Sequence, residues 1–379
     1  MAASYGPRVW LALATIYVVW GSTFMAVTIA VRDVPPLFAM GFRHVIAGAL
    51  LLAFALPRGD RGGDRIGWAQ LRAGFIFGGA LFLLGHGGLA WAQQTIPSGV
   101  AALLIGSIPL WMTLLDRIFF GRRLHPSAVL GLVLGFIGLA FLFDPFGEGH
   151  FDRVGAVVCV LSALAWAAGS LYSRGAALPQ RPLVSAGLAA LCGGVLLLVA
   201  GAAGGELGDL HPTADSLGAI AYLVVVGTLV GFVAYVWLLR NAPTSLVATY
   251  AYVNPVIAVA LGAIFLGEEI TGQMLVAGAV IIGSVALIVR KSGEALEPGR
   301  GFRRRGIPVW KAICRGNKAY PTKGVTMAGE TDKVEGELKE QEGKLTDDEM
   351  REKQGQAQQK WGEAKDKAED AKEEVSERM

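Results

Sequence analysis

The sequence predicts an all-α integral membrane protein in which ten transmembrane helices form two inverted five-helix repeats. Three observations predict this fold class. Apolar residues make up 53% of the chain and charged residues 17%, whereas soluble domains carry roughly 25% charged residues. Ten apolar runs follow one another, and the pattern of the first five recurs in the last five. A cytoplasmic α-helical tail, partly disordered, is predicted to follow them.

The ten apolar runs account for the predicted helices, because a bilayer core needs about 20 mostly apolar residues per helix. Short connections that contain Pro, Gly and charged residues separate the runs, as expected of turns. The predicted spans lie near residues 9–31, 37–57, 70–92, 98–120, 126–143, 154–174, 183–204, 217–240, 244–266 and 270–290.

The repeat is clearest between residues 97–121 and residues 243–267, which lie 146 positions apart. At this offset Pro109 falls on Pro255, and the glycines that end both stretches also coincide. Each unit contains five predicted spans, and because five is odd the second unit must enter the membrane from the opposite side. Inverted repeats are typical of secondary transporters, in which substrate binds near the midplane between the halves.

Charge and the internal repeat together divide the chain into four predicted domains. Residues 1–289 contain 14 basic residues, all arginine, and the next 37 residues, 290–326, contain ten Lys/Arg against two acidic residues. The last 53 residues contain ten Lys/Arg against 17 Asp/Glu. The predicted domains are the first repeat (9–143), the second repeat (154–290), a basic linker (291–326) and the tail (327–379).

The placement of arginines predicts that both termini are cytoplasmic. With the N-terminus inside, 11 of the 14 arginines fall on the cytoplasmic side, and only Arg32 and Arg153 fall on the opposite side. An even number of spans then returns the C-terminus to the cytoplasm.

The tail has few large apolar side chains and is predicted to form two helices, near 330–345 and 348–376. With so little to bury, such a segment is marginal or disordered alone.

Short motifs in both repeats resemble a known family. Trp20-Gly21-Ser22-Thr23-Phe24 and Phe42-Arg43 resemble signatures of the EamA-type transporters of the drug/metabolite transporter superfamily, and Pro109 and Pro255 resemble the start of its Pro…Gly-Glu pattern. The resemblance covers about residues 9–290. Gly267-Glu268 keeps the Gly-Glu pair, whereas the first repeat has Gly121-Arg122, which reverses the charge.

The resemblance implies a secondary transporter in a bacterial-type plasma (inner) membrane. It would move a small polar metabolite, amino-acid-like or related, by alternating access, with efflux as the expected direction. The partners it implies are the substrate, the lipid bilayer and a coupling ion, either a proton or another ion. The oligomeric state stays open.

The tail resembles CsbD-like proteins, small stress-associated bacterial proteins that normally stand alone. Residues 332–336, Gly343-Lys344, Gly355 and Gly362 carry this likeness, which begins at Met327. One hypothesis is that two neighbouring reading frames were joined, with the basic linker as translated spacer. The alternative function is therefore a non-transport membrane scaffold that presents a CsbD-like tail in a stress response.

Polar, aromatic and proline residues inside the predicted spans are the candidate site residues, because polar groups in a bilayer core are costly and need a reason. The candidates for the substrate pathway are Trp20, Ser22, Arg43, His86, Pro109, Trp166, Tyr250, Tyr252, Asn254 and Pro255. The candidates for a gate or for coupling are Asp116 and Glu268.

Each candidate also has a structural interpretation. Arg43 could hold an anionic substrate group or pair with an acid, or its side chain could instead extend to the membrane surface or form a structural hydrogen bond to carbonyls. His86 could couple transport to protons, because imidazole titrates near neutral pH, or it could be a neutral histidine bonded to a carbonyl. Asp116 could be an interface anchor rather than a gate, and Glu268 a solvated loop acid rather than a gate or helix-end contact.

The prolines and the aromatic residues carry the same ambiguity. Pro109 and Pro255 remove backbone donors, which disturbs a helix, and the freed carbonyls could line a cavity. Tyr250, Tyr252 and Asn254 are expected to crowd that region of the second repeat, for selectivity or for polar packing between helices. The two tryptophans, at positions 20 and 166, would be pocket walls or core packing residues.

Catalytic motifs do not occur in the sequence: it has no HExxH, no P-loop, no GxSxG and no paired intramembrane carboxylates. The three cysteines have neither CxxC nor metal-ligand spacing. We therefore expect no enzyme activity, no cofactor, no metal site and no nucleic-acid partner, and an intramembrane enzyme is the weakest of the three functional classes.

Overall fold

The computed structural model describes residues 6–58, 66–121, 124–142, 152–242, 244–247 and 249–292, together with six residues between positions 353 and 360. The chain divides into two compact units, Met1–Asn317 and Lys318–Met379. The described residues of the second unit are all helical: Lys353, Gln354, Gln356, Ala357, Gln359 and Lys360. The rest of the predicted tail, and the linker beyond position 292, lie outside the described residues.

All regular structure in the described part of the first unit is helical, as predicted. We label its longer helices α1 to α10 in chain order. Those of the first repeat are α1 (Pro7–Ala30), α2 (Pro36–Ala55), α3 (Trp68–Ala92), α4 (Ser98–Phe120) and α5 (Pro126–Leu142). Those of the second are α6 (Arg153–Ser173), α7 (Pro182–Ala203), α8 (Ala214–Tyr235, running on to Asn241), α9 (Tyr250–Leu266) and α10 (Gly272–Ser292).

Seven of the described helices are long and apolar enough to cross a membrane, namely α1 to α4 and α6 to α8. The apolar parts of α5, α9 and α10 are shorter and lie where the remaining three spans were predicted. The membrane class is also visible on the surface, where Leu11, Ile137 and Leu161 are more than half exposed. Such an apolar exterior suits lipid contact rather than water.

Three helices depart from regular α geometry. A π-helical segment runs through α3 at Gly79–Gly87 and another through α8 at Leu223–Val230. The two parts of α4, Ser98–Ile105 and Ile108–Phe120, are separated by a short turn. A π-helical segment widens the turn and is frequent at functional sites, and the site residues described below lie beside all three irregularities.

Contacts between the two repeats occur in matched pairs. Helix α2 packs on its counterpart α7 and α5 packs on its counterpart α10, while α1 contacts α8 and α9 as α6 contacts α3 and α4. Glycines allow the closest approaches: a Cβ on Gly48 of α2 would lie 2.5 Å from the backbone nitrogen of Leu191, and one on Gly194 of α7 would lie 2.6 Å from that of Val45. Small residues let helices approach in lipid in this way.

Candidate functional site

Arg43 is a buried cation in the middle of the site, on α2. Its side chain is only 6% exposed, so it does not extend to the surface. Nε donates to Oγ1 of Thr228 at 3.3 Å, and Nη1 lies 3.9 Å from the sulfur of Met40. No described carboxylate forms an ion pair with it. A buried charge is costly unless it is paired, so the guanidinium retains an unused capacity to bind an anion.

Two histidines form a pair beside Arg43. Nε2 of His44 and Nδ1 of His86 are 2.7 Å apart, which joins α2 to the π-helical segment of α3 by one hydrogen bond. His44 is 1% exposed, and its Nδ1 has no hydrogen-bond partner among the residues that the structure describes. The indole of Trp166 from α6 lies against His86, with ring centroids 4.9 Å apart, and Phe82 covers His44 at 4.2 Å.

Trp20 in α1 belongs to a second aromatic group. Its Nε1 donates to the carbonyl of Gly227 at 3.2 Å, and its ring lies 5.3 Å from Tyr235 and 5.0 Å from Tyr250, measured between centroids. Trp20 and Trp166 are equivalent in the two repeats, but their neighbours differ. One tryptophan lies among tyrosines of the second repeat, and the other lies against a histidine of the first.

Gly227 connects Trp20 with Arg43. A Cβ at Gly227 would lie 3.1 Å from the methyl group of Thr23 and 3.6 Å from Nη2 of Arg43, and the next residue, Thr228, accepts from Arg43. The π-helical segment of α8 therefore places a backbone without a side chain between the arginine and the aromatic group. Helices α1 and α2 of the first repeat and α8 of the second meet at this point.

The remaining polar candidates mostly satisfy one another. The Ser22 hydroxyl donates to the Val19 carbonyl and lies 2.6 Å from the hydroxyl of Tyr222. With its amide nitrogen turned towards two carbonyls, Asn254 donates to Tyr250 at 3.1 Å and to Tyr17 at 3.3 Å. Both residues are buried and link α1 to the second repeat.

The structure separates Tyr252 from Tyr250, although both were expected in one region. Tyr250 packs with the α1 aromatic group, whereas Tyr252 packs against the apolar cluster of Leu110 and Val285. Two positions along a helix correspond to about 200° of rotation, so the two side chains point to different sides of α9. Tyr252 therefore does not contribute to the group around Trp20.

The two prolines act differently. Pro109 follows the break in α4 and lies in the first turn of its second part, where a missing N–H costs little. Pro255 lies inside α9, which remains helical across it. The two regions meet, because a Cβ on Gly106 in the α4 break would lie 3.4 Å from Cγ of Pro255.

The two gate candidates each connect the first repeat to the second. Oδ1 of Asp116, in the last part of α4, lies 3.1 Å from Nη1 of Arg174 just after α6. At the other end of α4, the carboxylate of Glu268 accepts from the backbone N–H groups of Ser98 at 2.7 Å and Gly99 at 3.0 Å. Glu268 therefore caps the N-terminus of α4, where the helix dipole favours an anion.

Several residues of these groups were not predicted, namely His44, Thr228 and Tyr235. His44 lies about 100° around the helix from Arg43, and its partner is 42 positions along the chain. Thr228 and Tyr235 look like ordinary residues of an apolar span. Among the described residues, no group of three or more His, Cys, Asp or Glu side chains is placed to hold a metal ion.

An all-helical membrane unit whose buried polar groups lie where two matched sets of helices meet defines a multi-pass membrane protein of the transporter class. The model of the EamA-like transporter family matches residues 8–144 and 153–290. The chain belongs to the EamA-like transporter family.

Relatives agree with this assignment. The chain is 33% identical over 290 residues to a protein named "Uncharacterized inner membrane transporter YedA" from Escherichia coli strain K12. The aligned region covers 76% of this chain and 92% of that protein. It is 27% identical to a "Probable amino-acid metabolite efflux pump" of the same organism, over 70% of this chain and 89% of that one. A crystal structure with 22% identity and a TM-score of 0.53 covers 78% of this chain and 100% of that one, and shows the shared fold.

Proposed function

We propose that this protein is a secondary transporter that moves a small metabolite with an anionic group, amino-acid-like or related, out of the cell by alternating access. The observation that carries the proposal is the buried guanidinium of Arg43, which pairs with no carboxylate in the described part of the chain and lies where α1, α2 and α8 meet. A substrate carboxylate would supply the missing charge.

The chemistry of the arginine favours a carboxylate. A guanidinium offers five N–H donors in a planar fork that matches the two oxygens of a carboxylate. In this structure two of its nitrogens have neutral partners, a hydroxyl and a thioether. Binding an anion would therefore improve the hydrogen bonding of Arg43 and lower the cost of its burial at the same time.

The aromatic group supplies a second contact for such a substrate. The ring centroids of Trp20, Tyr235 and Tyr250 lie 5.0 to 6.1 Å apart, on the far side of Gly227 from Arg43. Aromatic faces attract ammonium groups and also bury apolar side chains. An amino acid has both a carboxylate and an ammonium, and a relative is named as an amino-acid metabolite efflux pump.

The matched contacts between the repeats support alternating access across ten spans. Alternating access requires contacts between the two halves that close one end of the pathway while the other end is open. The ion pair of Asp116 with Arg174 and the cap of Glu268 on α4 lie at opposite ends of α4, and each joins one repeat to the other. In the predicted orientation, with both termini cytoplasmic, the Asp116 tie faces the cytoplasm and the Glu268 tie faces outward.

Flux measurements in proteoliposomes test the proposal. Vesicles are loaded with a mixture of the 20 radiolabelled protein amino acids, and efflux is compared between wild type and Arg43→Ala, Arg43→Lys and Arg32→Ala. Loss of a hydrogen-bonded charge costs roughly 1.5–3 kcal/mol, so we expect Arg43→Ala to slow efflux at least about tenfold. Arg43→Lys should be intermediate, because lysine lacks the planar fork.

Arg32 is the matched control, since it is exposed in the turn after α1, and Arg32→Ala should retain the wild-type rate. Equal rates for wild type and Arg43→Ala would contradict the proposed site. Absence of protein-dependent flux for this mixture and for a wider metabolite panel would contradict transport itself and favour the scaffold that presents the predicted CsbD-like tail.

A further inference from the structure

The histidine pair has no role in the site so far described, although it lies directly beside it. His44 follows Arg43 in α2, so a proton added to the pair would lie near the positive charge of Arg43. Either neutral arrangement of the pair leaves Nδ1 of His44 without a hydrogen-bond partner. An unsatisfied buried nitrogen is costly, so the pair is maintained at the expense of stability. Such an arrangement favours a role in transport over one in packing.

The 2.7 Å bond restricts how many protons the pair can hold. One of the two facing nitrogens must keep a lone pair to accept from the other. The neutral pair carries two N–H protons, one on each ring, and a third can be added without breaking the bond. A fourth would place two N–H groups face to face. The pair therefore binds one proton, and at most one, beyond its neutral state.

The surroundings leave one route for that proton. Nδ1 of His44 is buried, whereas His86 is only partly buried. Because Nδ1 of His86 is used in the pair, Nε2 of His86 is the nitrogen at which the proton is gained and released. The side chains that face the pair are Phe82 from α3 and Trp166 from α6, whereas Gly194 of α7 approaches the backbone of His44. Among the described residues, Arg43 is the charged residue next to the pair in α2.

We propose that the His44–His86 pair is the coupling site of the transporter, and that one proton bound there is carried together with the anionic group held by Arg43. This inference rests on the proposed function. An unneutralised Arg43 opposes a proton on the pair, and a carboxylate bound to Arg43 removes that opposition. By reciprocity the proton then favours the carboxylate. No substrate bond is made or broken, and the proton returns to water after the site opens to the other side.

Linked movement has a quantitative consequence. One pH unit is equivalent to a tenfold concentration ratio for a carrier that moves one proton per substrate, since each is worth about 1.4 kcal/mol. At zero membrane potential, net efflux then occurs when the outward metabolite gradient exceeds the inward proton gradient. Under that condition a metabolite tenfold more concentrated inside would be balanced by an exterior one pH unit more acidic.

The test uses the same vesicles and amino-acid mixture, with the membrane potential clamped by potassium and valinomycin. A proton gradient of one pH unit is imposed in either direction, and an entrapped pH dye records proton movement. We expect label to accumulate up to about tenfold on the alkaline side, with protons moving in the same direction as label. This experiment needs no variant, so it does not depend on how substitutions at buried positions fold.

Variants then locate the coupling. The readout for each variant is the ratio of its label flux with the proton gradient to its label flux without one. We expect this ratio to fall to about one in His86→Gln and His44→Gln, while His125→Gln, a change at an exposed histidine before α5, should keep the wild-type ratio. Label flux without any proton response, or protons moving against label, would overturn the inference and leave the transport proposal intact. Absence of label flux in wild type would instead remove the proposed function, and the inference with it.

Discussion

The ends of α4 and α9 are equivalent in the two repeats, and their backbones agree while their side chains do not. Both helices end at a glycine in the left-handed region, with φ of 65° at Gly121 and 69° at Gly267. A residue with a Cβ is strained in that conformation, and glycine is the usual residue where a helix ends in this way. The duplicated glycine therefore gives both repeats the same helix end.

The acidic residues occupy different positions on this shared frame. In the second repeat, Glu268 follows the terminal glycine and turns back to cap α4, and Gly262 leaves room for its carboxylate. In the first repeat, the position equivalent to Gly262 is Asp116, which pairs with Arg174 instead. The comparison shows that duplication conserved the residues that set the backbone, whereas the ties between the repeats are different at the two ends.

Removal of the Glu268 carboxylate should have the largest effect on stability. Glu268→Ala deletes a charged acceptor from two N–H groups at the start of α4, and we expect a loss of about 2 kcal/mol in unfolding free energy. Glu268→Gln should lose less, because the amide oxygen can still accept. Denaturant unfolding of the purified protein in detergent measures both. The neighbouring Glu269 is exposed, and a loss as large for Glu269→Ala would contradict a specific cap.

Gly262→Ala should be the next largest effect, because a Cβ there would lie 2.9 Å from Cδ of Glu268. Crowding typically costs about 1–3 kcal/mol, and we expect about 1 kcal/mol here because the crowded carboxylate is the end of a flexible side chain that can shift. The same substitution in a Glu268→Ala background should cost less, since the crowded carboxylate is gone, and a double-mutant cycle measures the difference. Strict additivity would show that Gly262 is not there to make room for the acid.

The tie in the first repeat should be weaker. The side chains of Asp116 and Arg174 are 15% and 47% exposed, and partly exposed ion pairs contribute only about 0.2–1 kcal/mol. Asp116→Asn should therefore lower the unfolding free energy by less than about 1 kcal/mol. We expect the same substitution to increase the rate of label flux, because it removes a contact that joins the two repeats at one end of α4. A coupling energy between Asp116→Asn and Arg174→Gln above the roughly 2 kcal/mol expected for Glu268→Ala would reverse the proposed order of the two contacts.

The smallest effect concerns the first helix of each repeat. Asp152 caps α6 through the N–H groups of Gly155 and Val154, whereas the equivalent residue before α1, Gly6, has no side chain to do so. The hydrogen bonds from Gly155 and Val154 lower the pKa of the Asp152 carboxyl below its usual 3.8, although partial desolvation opposes them.

The sign of the pH dependence follows from the lowered pKa of Asp152. The ionised carboxyl is favoured in the folded protein, so its stabilisation is complete above pH 3.8 and is lost as the pH falls through the lowered value. Asp152→Asn should thus reduce the melting temperature slightly at pH 7, and the difference should vanish in strong acid. A difference that grows on acidification would contradict this assignment.

Much of the fold could be predicted from the sequence, because the hydropathy that places a helix in the membrane and the glycine that ends it are properties of short stretches of the chain. Apolar runs identify the spans, since each helix must present apolar side chains to lipid. The 146-residue offset predicted equivalent helix ends, and the structure places Gly121 and Gly267 in the same conformation. The π-helical segments and the break in α4 were not predicted, because a few hydrogen bonds shifted by one residue leave no mark in hydropathy.

The candidate site was predictable only in part. The cost of a polar group in an apolar helix made Arg43 and His86 candidates, and Glu268 was a candidate because it follows the glycine that ends the ninth predicted span. Their partners lie on other helices, as with His44 for His86 and Ser98 for Glu268. Which side chains meet in a bundle depends on helix rotation and on how closely the glycines let backbones approach. The sequence by itself therefore determined which residues need a partner, and the tertiary structure decided which partner each one has.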